Sequence, residues 1–207
     1  MTSKEFLNSL ANGSVNIIQQ FLDLLDKLKI DYCIIGGLAV NAYADLVASL
    51  DLDLAITLDE TDKLLKSVSK LYSIEKYPHS IKLKHPKSDL RIQLHTYEQY
   101  QDFISRAIEK KVLGYNMKVA ALEDVLHGKI WAYLDEERRK SKRQKDLTDI
   151  MRLVETHPHL NSLLPEKIKS ILSLKSQKPF PSGSNAVNLR SLVCSMIKQL
   201  SFCLKDI

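Results

Sequence analysis

The run "LDLDLAI" places two aspartates, Asp51 and Asp53, in alternation with leucines. A period of two predicts a β-strand whose leucines face the core and whose aspartates share the opposite face. On such a strand the two residues lie about 7 Å apart, and burying them unpaired is very expensive. Two carboxylates together with a substrate phosphate are ligands that Mg²⁺ prefers. We therefore predict that Asp51 and Asp53 hold Mg²⁺.

A glycine pair, Gly36-Gly37, ends the apolar run "DYCII" ahead of these aspartates. We predict a strand that stops at the glycines and a short helix over "LAVNAYADLV". Backbone N–H groups at the start of a helix are free to bind phosphate oxygens. A phosphate-binding turn followed by metal-binding carboxylates is typical of phosphoryl or nucleotidyl transfer. The sequence excludes a Rossmann fingerprint, because "GGLAVNA" lacks GxGxxG, and a P-loop, because no Gly-Lys-Ser/Thr follows.

The elements that must position these motifs are both helices and strands. Helical periodicity predicts helices at residues 15–29 and 59–72. Apolar alternation predicts strands at 80–85 and 90–96, joined by the turn "PKSD". From "YEQYQDFISRAIEKK" onward we predict mostly helix, with one short strand near "YNMKVA". The predicted fold class is therefore α/β (α+β).

Composition limits the setting in which these motifs work. The chain has 207 residues, of which 44% are hydrophobic, so it is long enough to bury a core. No apolar run approaches the roughly 20 residues of a membrane span, and the three cysteines show no CxxC spacing. We expect a reduced, cytoplasmic protein with no membrane partner. Its net charge of +5 is compatible with a polyanionic partner.

Taken together, the two motifs resemble the signature of the nucleotidyltransferase superfamily with the polymerase-beta-like fold. Ile35-Gly36-Gly37 precedes Asp51-Leu52-Asp53, with residues 38–50 between them. With the later stretch "GKIWAYLDEERRKSKRQKDLTDIMRL", the chain resembles more narrowly the AbiEii/AbiGii-toxin-like branch, over residues 15 to 155. The fold implied by this resemblance is a small mixed sheet of nucleotidyltransferase topology followed by a helical C-terminal part.

The resemblance also implies a reaction, in which Mg²⁺-dependent transfer moves a nucleoside monophosphate from an NTP to an acceptor. The implied acceptor is a tRNA or other RNA end, or a protein side chain, in a toxin–antitoxin or phage-defence setting with a cognate antitoxin. A small-molecule acceptor, as in antibiotic-modifying relatives, is the further alternative. The implied catalytic residues are Asp51, Asp53, Lys129 and Lys145, and the implied nucleotide-binding residues are Gly36, Gly37, Ser49, Lys129, Lys145 and Asp146.

The strand "DLRIQLHT" departs from the family pattern, which has a third carboxylate there. Alternation places Arg91, Gln93 and His95 on the aspartate side, so Gln93 occupies the carboxylate position. Glutamine offers a carbonyl ligand but no charge, and it cannot act as a general base. Asp89 has the same parity, but it lies beside the turn and is a poor substitute. Either two aspartates suffice for transfer, or the protein is a weak or inactive nucleotide- or RNA-binding protein.

The basic residues of the helical half have alternative interpretations. Lys129 borders an apolar stripe, from which it either extends to solvent or reaches the nucleotide phosphates. The run "RRKSKRQKD" is either a solvated helix face or an electrostatic grip on RNA. It offers the local pairs Lys142–Asp146 and Lys145–Asp149. We expect Lys145 to face the site and the other basic residues to be general surface. Three aromatic residues are expected in the core or at the rim of the site: Tyr97, Tyr100 and Trp131.

The domain organisation follows from these motifs and from local composition. The predicted nucleotidyltransferase core spans residues 1–118, and a helical region at 119–172 packs on it. The segment 173–185 concentrates Pro, Ser and Gly and predicts a linker, which leads to a C-terminal helix at 186–207.

Overall fold

The computed structural model describes residues 3–12 and 16–176. It divides the chain into two compact units, Met1–Leu164 and Pro165–Ile207. The first unit contains the sheet and every predicted site residue. Within the described residues the second unit consists of one helix, which we number α8 below.

The first unit is built on one seven-stranded mixed sheet with the order β3-β4-β5-β2-β1-β7-β6. The β2–β5 and β1–β7 pairs are parallel, and the remaining neighbours are antiparallel. This arrangement confirms the predicted α/β class with a mixed sheet. The strands are β1 (Tyr32–Ile35), β2 (Asp51–Ile56), β3 (Ser73–Tyr77), β4 (Ser80–Lys84), β5 (Arg91–His95), β6 (Ile108–Val112) and β7 (Tyr115–Val119).

Helices precede, connect and follow the strands. The helix predicted at 15–29 is confirmed as α2, which begins after the cap residue Asn16 and ends before Lys29 in the left-handed conformation. None of the helices in the described ranges is long and apolar enough to cross a membrane. The α-helices are α1 (Ser3–Leu10), α2 (Ile17–Leu28), α3 (Gly36–Val40), α4 (Thr61–Val68), α5 (Gln101–Ser105), α6 (Leu122–Leu134), α7 (Lys140–Thr156) and α8 (Glu166–Ser176), with short 3₁₀ turns at Leu58–Glu60, Glu98–Tyr100 and Pro158–Leu163.

The alternation in β2 has the predicted consequence. Leu52 and Leu54 are fully buried, whereas the Asp51 and Asp53 side chains remain partly open on the other face. Both neighbours of β2 are apolar on the core side, so the sheet buries its leucines and isoleucines against the core. The opposite face near β2 stays free for charged groups.

Two strands were not predicted from the sequence. The edge strand β3 pairs with β4, and β6 replaces the second half of the helix predicted from residue 97 onward. A tight turn explains β6, because Leu113 and Gly114 adopt positive φ angles of 51° and 84°. Two consecutive positive φ angles are typical of a two-residue hairpin turn. The hairpin buries Val112 and Tyr115 rather than a helical stripe.

The helical elements are shorter than predicted. The helix predicted over "LAVNAYADLV" ends at Val40, and α4 covers residues 61–68 of the predicted 59–72. The α8 helix extends to Ser176, within the segment predicted as a linker. The rest of that segment and the helix predicted at 186–207 lie outside the described residues.

Candidate active site

A cavity of about 650 Å³ opens between the polar face of the sheet and helices α6 and α7. Strands β2, β4 and β5 form one wall, and the glycine turn lies at its base. Helices α6 and α7 both contact α3, the short helix that begins at this turn. Every residue that the sequence nominated for the site lines this cavity: Gly36, Gly37, Ser49, Asp51, Asp53, Lys129, Lys145 and Asp146.

Gly36 brings the backbone against the second aspartate. Its φ angle is +69°, and a Cβ built there would lie 2.3 Å from Asp53 Oδ2. Both the left-handed conformation and this approach require glycine. Ile35 pairs with Asp53 in the β1–β2 ladder, so the register itself sets the glycine turn beside the carboxylate.

Gly37 lies where three parts of the site converge. A Cβ there would lie 3.7 Å from Ser49 Oγ and 4.0 Å from Lys145 Nζ, which are ordinary contact distances. Ser49 also accepts a bond from the Asp51 backbone N–H at 3.3 Å, which fixes the residue before β2. The glycine turn, the start of β2 and helix α7 therefore meet at one point.

Asp51 and Asp53 share the cavity face, as predicted, and each has one basic side chain as a neighbour. Asp51 Oδ1 lies 2.7 Å from Arg91 Nε, and Asp53 Oδ1 lies 3.4 Å from His95 Nε2. Burial raises the pKa of Asp53, but the His95 hydrogen bond and the charges of His95, Lys129 and Lys145 outweigh it and hold that pKa below its usual value. Asp53 is therefore ionised at neutral pH.

Strand β5 carries no carboxylate beside this pair. In the parallel β2–β5 ladder Gln93 is the direct neighbour of Asp53, and its side chain lines the cavity. Asp89 accepts a hydrogen bond from the Asn12 side chain, and it does not line the cavity. Within the described ranges, no three His, Cys, Asp or Glu side chains come together as a metal site.

The donor set of the two aspartates still fits one hard divalent cation. Their carboxylates are 28% and 21% exposed on a single face, and carboxylate oxygens are the ligands that Mg²⁺ prefers. The missing Cβ of Gly36 makes room for the Asp53 carboxylate beside the glycine turn. We therefore regard Asp51 and Asp53 as sufficient to hold one such ion.

The loop between the glycine turn and β2 is held by residues that the sequence did not single out. The buried Asn41 side chain bonds both the N–H and the C=O of Val47, at 3.0 and 2.8 Å. Arg152 of α7 bonds Asn41 Oδ1 at 3.0 Å and also donates to the Asp45 carbonyl. An Asn at the C-terminal end of the short helix α3 was the signal, since Asn side chains commonly bond the nearby backbone in loops.

Lys129 does not extend to solvent. Its side chain is 9% exposed, and its ammonium lies 3.1 Å from Asp146 Oδ1 and 2.7 Å from Asp149 Oδ2. Burial lowers the pKa of Lys129, but the two carboxylates outweigh burial and raise it above its usual value. Lys129 therefore donates a hydrogen bond to Asp146 and forms an ion pair with Asp149, both acids of α7.

The local ion pairs that the spacing within α7 offers, Lys142–Asp146 and Lys145–Asp149, do not form. Asp146 pairs with Lys129 and with Arg138, and Asp149 pairs with Lys129 and with Arg152. Lys142 and Lys145 instead line the cavity. Among the described residues, no carboxylate forms a salt bridge with the Lys145 ammonium. As expected, Lys145 faces the site.

Aromatic side chains close one end of the cavity. Tyr100 and Phe103 line it, and Tyr100 packs edge-on against His95 and beside Trp131. Burial, with a further contribution from the Asp53 charge, raises the pKa of Tyr100 to about 12, so the phenol stays neutral. The side chains of Tyr97 and Trp131 are partly exposed, at 41% and 38%. Both pack against Tyr100 and do not themselves line the cavity.

An aspartate pair on one face of a mixed sheet, beside a glycine turn and under basic helices, defines the nucleotidyltransferase fold. The crystal structure of ANT(2″)-Ia in complex with adenylyl-2″-tobramycin is similar with a TM-score of 0.55 and 17% identity, covering 76% of this chain and 94% of that one. The solution structure of the antibiotic-resistance factor ANT(2″)-Ia gives 0.52 and 14%, covering 89% and 95%. At these identities the similarity concerns the fold alone.

The family follows from the sequence. The model of the family described as "Nucleotidyl transferase AbiEii toxin, Type IV TA system" matches residues 28–192. The chain therefore belongs to the AbiEii family of nucleotidyltransferase toxins, and the resemblance found in its motifs is confirmed. No curated protein matches the chain in sequence.

Proposed function

We propose that this protein transfers a nucleoside monophosphate from an NTP to an acceptor in a Mg²⁺-dependent reaction. The observation that carries the proposal is the carboxylate pair, with Asp51 and Asp53 on one cavity face and Gly36 held against Asp53. Asp51 and Asp53 hold the ion, which polarises the phosphate oxygens when it is bound. The triphosphate binds beside the backbone of Gly36-Gly37 and the Ser49 hydroxyl.

The two cavity lysines take different roles in this proposal. Lys145 contacts the triphosphate, because its ammonium has no carboxylate partner in the described chain and lies beside Gly37. It offsets the charge that develops on the leaving pyrophosphate. Lys129 fixes Asp146 and Asp149 instead, and so positions the helix that presents Lys145.

The reaction joins an acceptor oxygen to the α-phosphorus of the NTP. The bond between that phosphorus and the oxygen that bridges it to the β-phosphate breaks, and pyrophosphate leaves with this oxygen. The hydroxyl proton of the acceptor is released to water. Gln93 cannot accept this proton, so the rate depends on positioning and charge rather than on a carboxylate base at that position.

An RNA end is the acceptor that the wall of the site favours. Beyond the aspartates, the same face of β5 and β4 presents Arg91, Lys82 and Lys84, and all three line the cavity. On this wall only Glu75 opposes them, and it pairs with Lys84 at 3.1 Å. A positive surface beside the reacting centre attracts a phosphate backbone and disfavours a cationic acceptor. The toxin role, its cognate antitoxin and a cytoplasmic location are parts of the same proposal.

A second candidate is a binding protein of this fold with weak or no transfer activity. The observation behind it is Gln93, which stands beside Asp53 without a charge. Gln93→Asp separates the two candidates, because a carboxylate there can accept the acceptor proton. If transfer depends on the missing base, this variant gains metal-dependent transfer over the wild type.

The test is to incubate the protein with each α-labelled NTP, Mg²⁺ and pools of cellular RNA and protein. The Asp51→Ala/Asp53→Ala variant removes both proposed metal ligands. Asp89→Asn is the matched control, since this acid lies just before β5 but outside the cavity. Label transferred to RNA by the wild type and the control, and lost in the double variant, supports the proposal. Label on protein changes the acceptor class, and no transfer with any NTP favours the binding protein.

A further inference from the structure

The strand that lacks the third carboxylate places a cation beside the aspartate pair. In the parallel β2–β5 ladder Arg91 is the direct neighbour of Asp51, just as Gln93 is of Asp53. Arg91 Nε lies 2.7 Å from Asp51 Oδ1. Strand register places the Arg91 backbone directly beside Asp51, so its guanidinium reaches this carboxylate without any change in the sheet.

The donors near the pair do not suffice for a second divalent ion. Two ions bound about 3.5–4 Å apart bring four positive charges, of which the two aspartates offset two, so a second ion would have to take its remaining ligands from the nucleotide phosphates. The remaining groups on the β5 face are Arg91, a neutral amide at Gln93 and the His95 ring, which already contacts Asp53. None of them is an anion. A second ion would also face the guanidinium, which is permanently charged.

Arg91 has the geometry to do more than exclude an ion. Its ion pair with Asp51 is closest between Nε and Oδ1, which leaves Oδ2 for a metal and the terminal guanidinium N–H groups for a phosphate oxygen. Its side chain is 55% exposed and lines the cavity, so a substrate can reach it. The neighbouring Lys84, next to Arg91 in the β4–β5 ladder, is engaged by Glu75 instead.

We propose that this site binds one divalent cation per chain, and that the Arg91 guanidinium supplies the positive charge that a second ion would bring. The role of Arg91 in catalysis rests on the proposed nucleotidyl transfer. The number of bound ions can be measured whether or not transfer occurs. Arg91 contacts Asp51 and a phosphate oxygen of the bound NTP. Its replacement by Gln lowers the rate of transfer about 100-fold, the usual effect of losing one electrostatic contact to a developing charge.

The test counts bound Mn²⁺ by electron paramagnetic resonance, in the full chain alone and with each of the four α,β-methylene nucleoside triphosphates. We expect one protein-bound Mn²⁺ per wild-type chain and none after Asp51→Asn/Asp53→Asn. Arg91→Gln/Gln93→Asp, which removes the cation and restores the carboxylate, binds two. A wild-type count of zero or two overturns the inference, and so does a count of one in this double variant.

A matched control separates the arginine from total charge. Lys84→Gln/Gln93→Asp makes the same change in charge on the same wall but keeps Arg91, so it still binds one Mn²⁺. Two Mn²⁺ bound to Lys84→Gln/Gln93→Asp would mean that the missing carboxylate alone keeps a second ion out, and would overturn the role of Arg91. Counting ions requires no acceptor: one Mn²⁺ without label transfer leaves this inference standing and refutes the proposed function. Two bound Mn²⁺ together with label transfer would support the proposed function and overturn this inference.

Discussion

Two regions of this protein use the same types of charged residue in opposite ways. The α7 ion cluster consists of Lys129, Arg138, Asp146, Asp149 and Arg152, and the aspartate face consists of Asp51, Asp53, Arg91 and His95. In the α7 ion cluster each acid has two cationic partners, and both acids are nearly inaccessible. On the aspartate face each acid has one partner and remains more than one fifth exposed, at 28% and 21%.

The difference separates residues that hold the fold from residues that are available to a ligand. Charges removed from water are tolerated only where the chain itself supplies their partners, and the α7 ion cluster meets that condition. On the aspartate face the chain supplies only part of the partners, and the carboxylates of Asp51 and Asp53 stay partly accessible from the cavity. Charge type alone does not identify a site, whereas incomplete pairing inside a cavity does.

The largest expected effect tests the α7 ion cluster. Lys129→Met removes the cation shared by Asp146 and Asp149 and leaves both acids buried with one partner each. Breaking a buried ion pair in this way lowers the free energy of unfolding by about 3 kcal/mol. Urea unfolding followed by circular dichroism measures it. A loss below about 1 kcal/mol would mean that the cluster does not hold the helices together.

Lys145→Met gives the opposite pattern in the same helix. The Lys145 ammonium has no carboxylate partner in the described residues, so its removal changes the free energy of unfolding by less than about 0.5 kcal/mol. The rate of label transfer falls about 100-fold, equivalent to about 2.7 kcal/mol of transition-state stabilisation. Lys140→Met, on an exposed residue of α7 outside the cavity, is the control. Equal rates for the two variants would remove Lys145 from the site.

The aspartate face was predictable from the sequence because its causes are local. A period of two in "LDLDLAI" fixes which side Asp51 and Asp53 take, and the same rule placed Gln93 on their side of the sheet. The glycine requirement also showed in the sequence as Gly36-Gly37. The reason for the glycine was not visible in the sequence, because the close packing of Gly36 against the Asp53 side chain depends on how β1 pairs with β2.

The α7 ion cluster was not predictable in the same way, because its partners are distant along the chain. Asp146 and Asp149 each have a lysine four residues earlier, so a local rule selects Lys142 and Lys145. The packing of α6 against α7 supplies Lys129 instead, and a buried partner displaces an exposed local one. Strand β6 was missed for a related reason, because "IEKKV" is strongly charged and becomes a strand only through its hairpin with β7.

Gly36→Ala tests how the backbone of the glycine turn contributes to the aspartate face. A Cβ at a positive φ angle costs about 1–2 kcal/mol, and here it also displaces Asp53 Oδ2 from beside the turn. We expect both a lower free energy of unfolding and at least a tenfold loss of Mn²⁺ affinity. Gly114→Ala is the control, because Gly114 has a φ angle of +84° in the distant β6–β7 turn. Gly114→Ala should lower the free energy of unfolding, because it also places a Cβ at a positive φ angle, but should leave the Mn²⁺ affinity unchanged. Equal Mn²⁺ affinities for the two variants would contradict this prediction.

The smallest expected effect concerns a type of ion pair that occurs in both regions, an arginine beside an aspartate. Arg91→Gln removes the partner of Asp51, yet both side chains are partly exposed, at 55% and 28%, and exposed pairs contribute between 0 and about 1 kcal/mol. We therefore expect urea unfolding to change by less than 1 kcal/mol, against about 3 kcal/mol for Lys129→Met. A loss as large as that of Lys129→Met would make Arg91 part of the framework. A small loss means that the bond to Asp51 is weak enough to rearrange when a metal–nucleotide complex binds, which is the property that a cation acting on substrate needs.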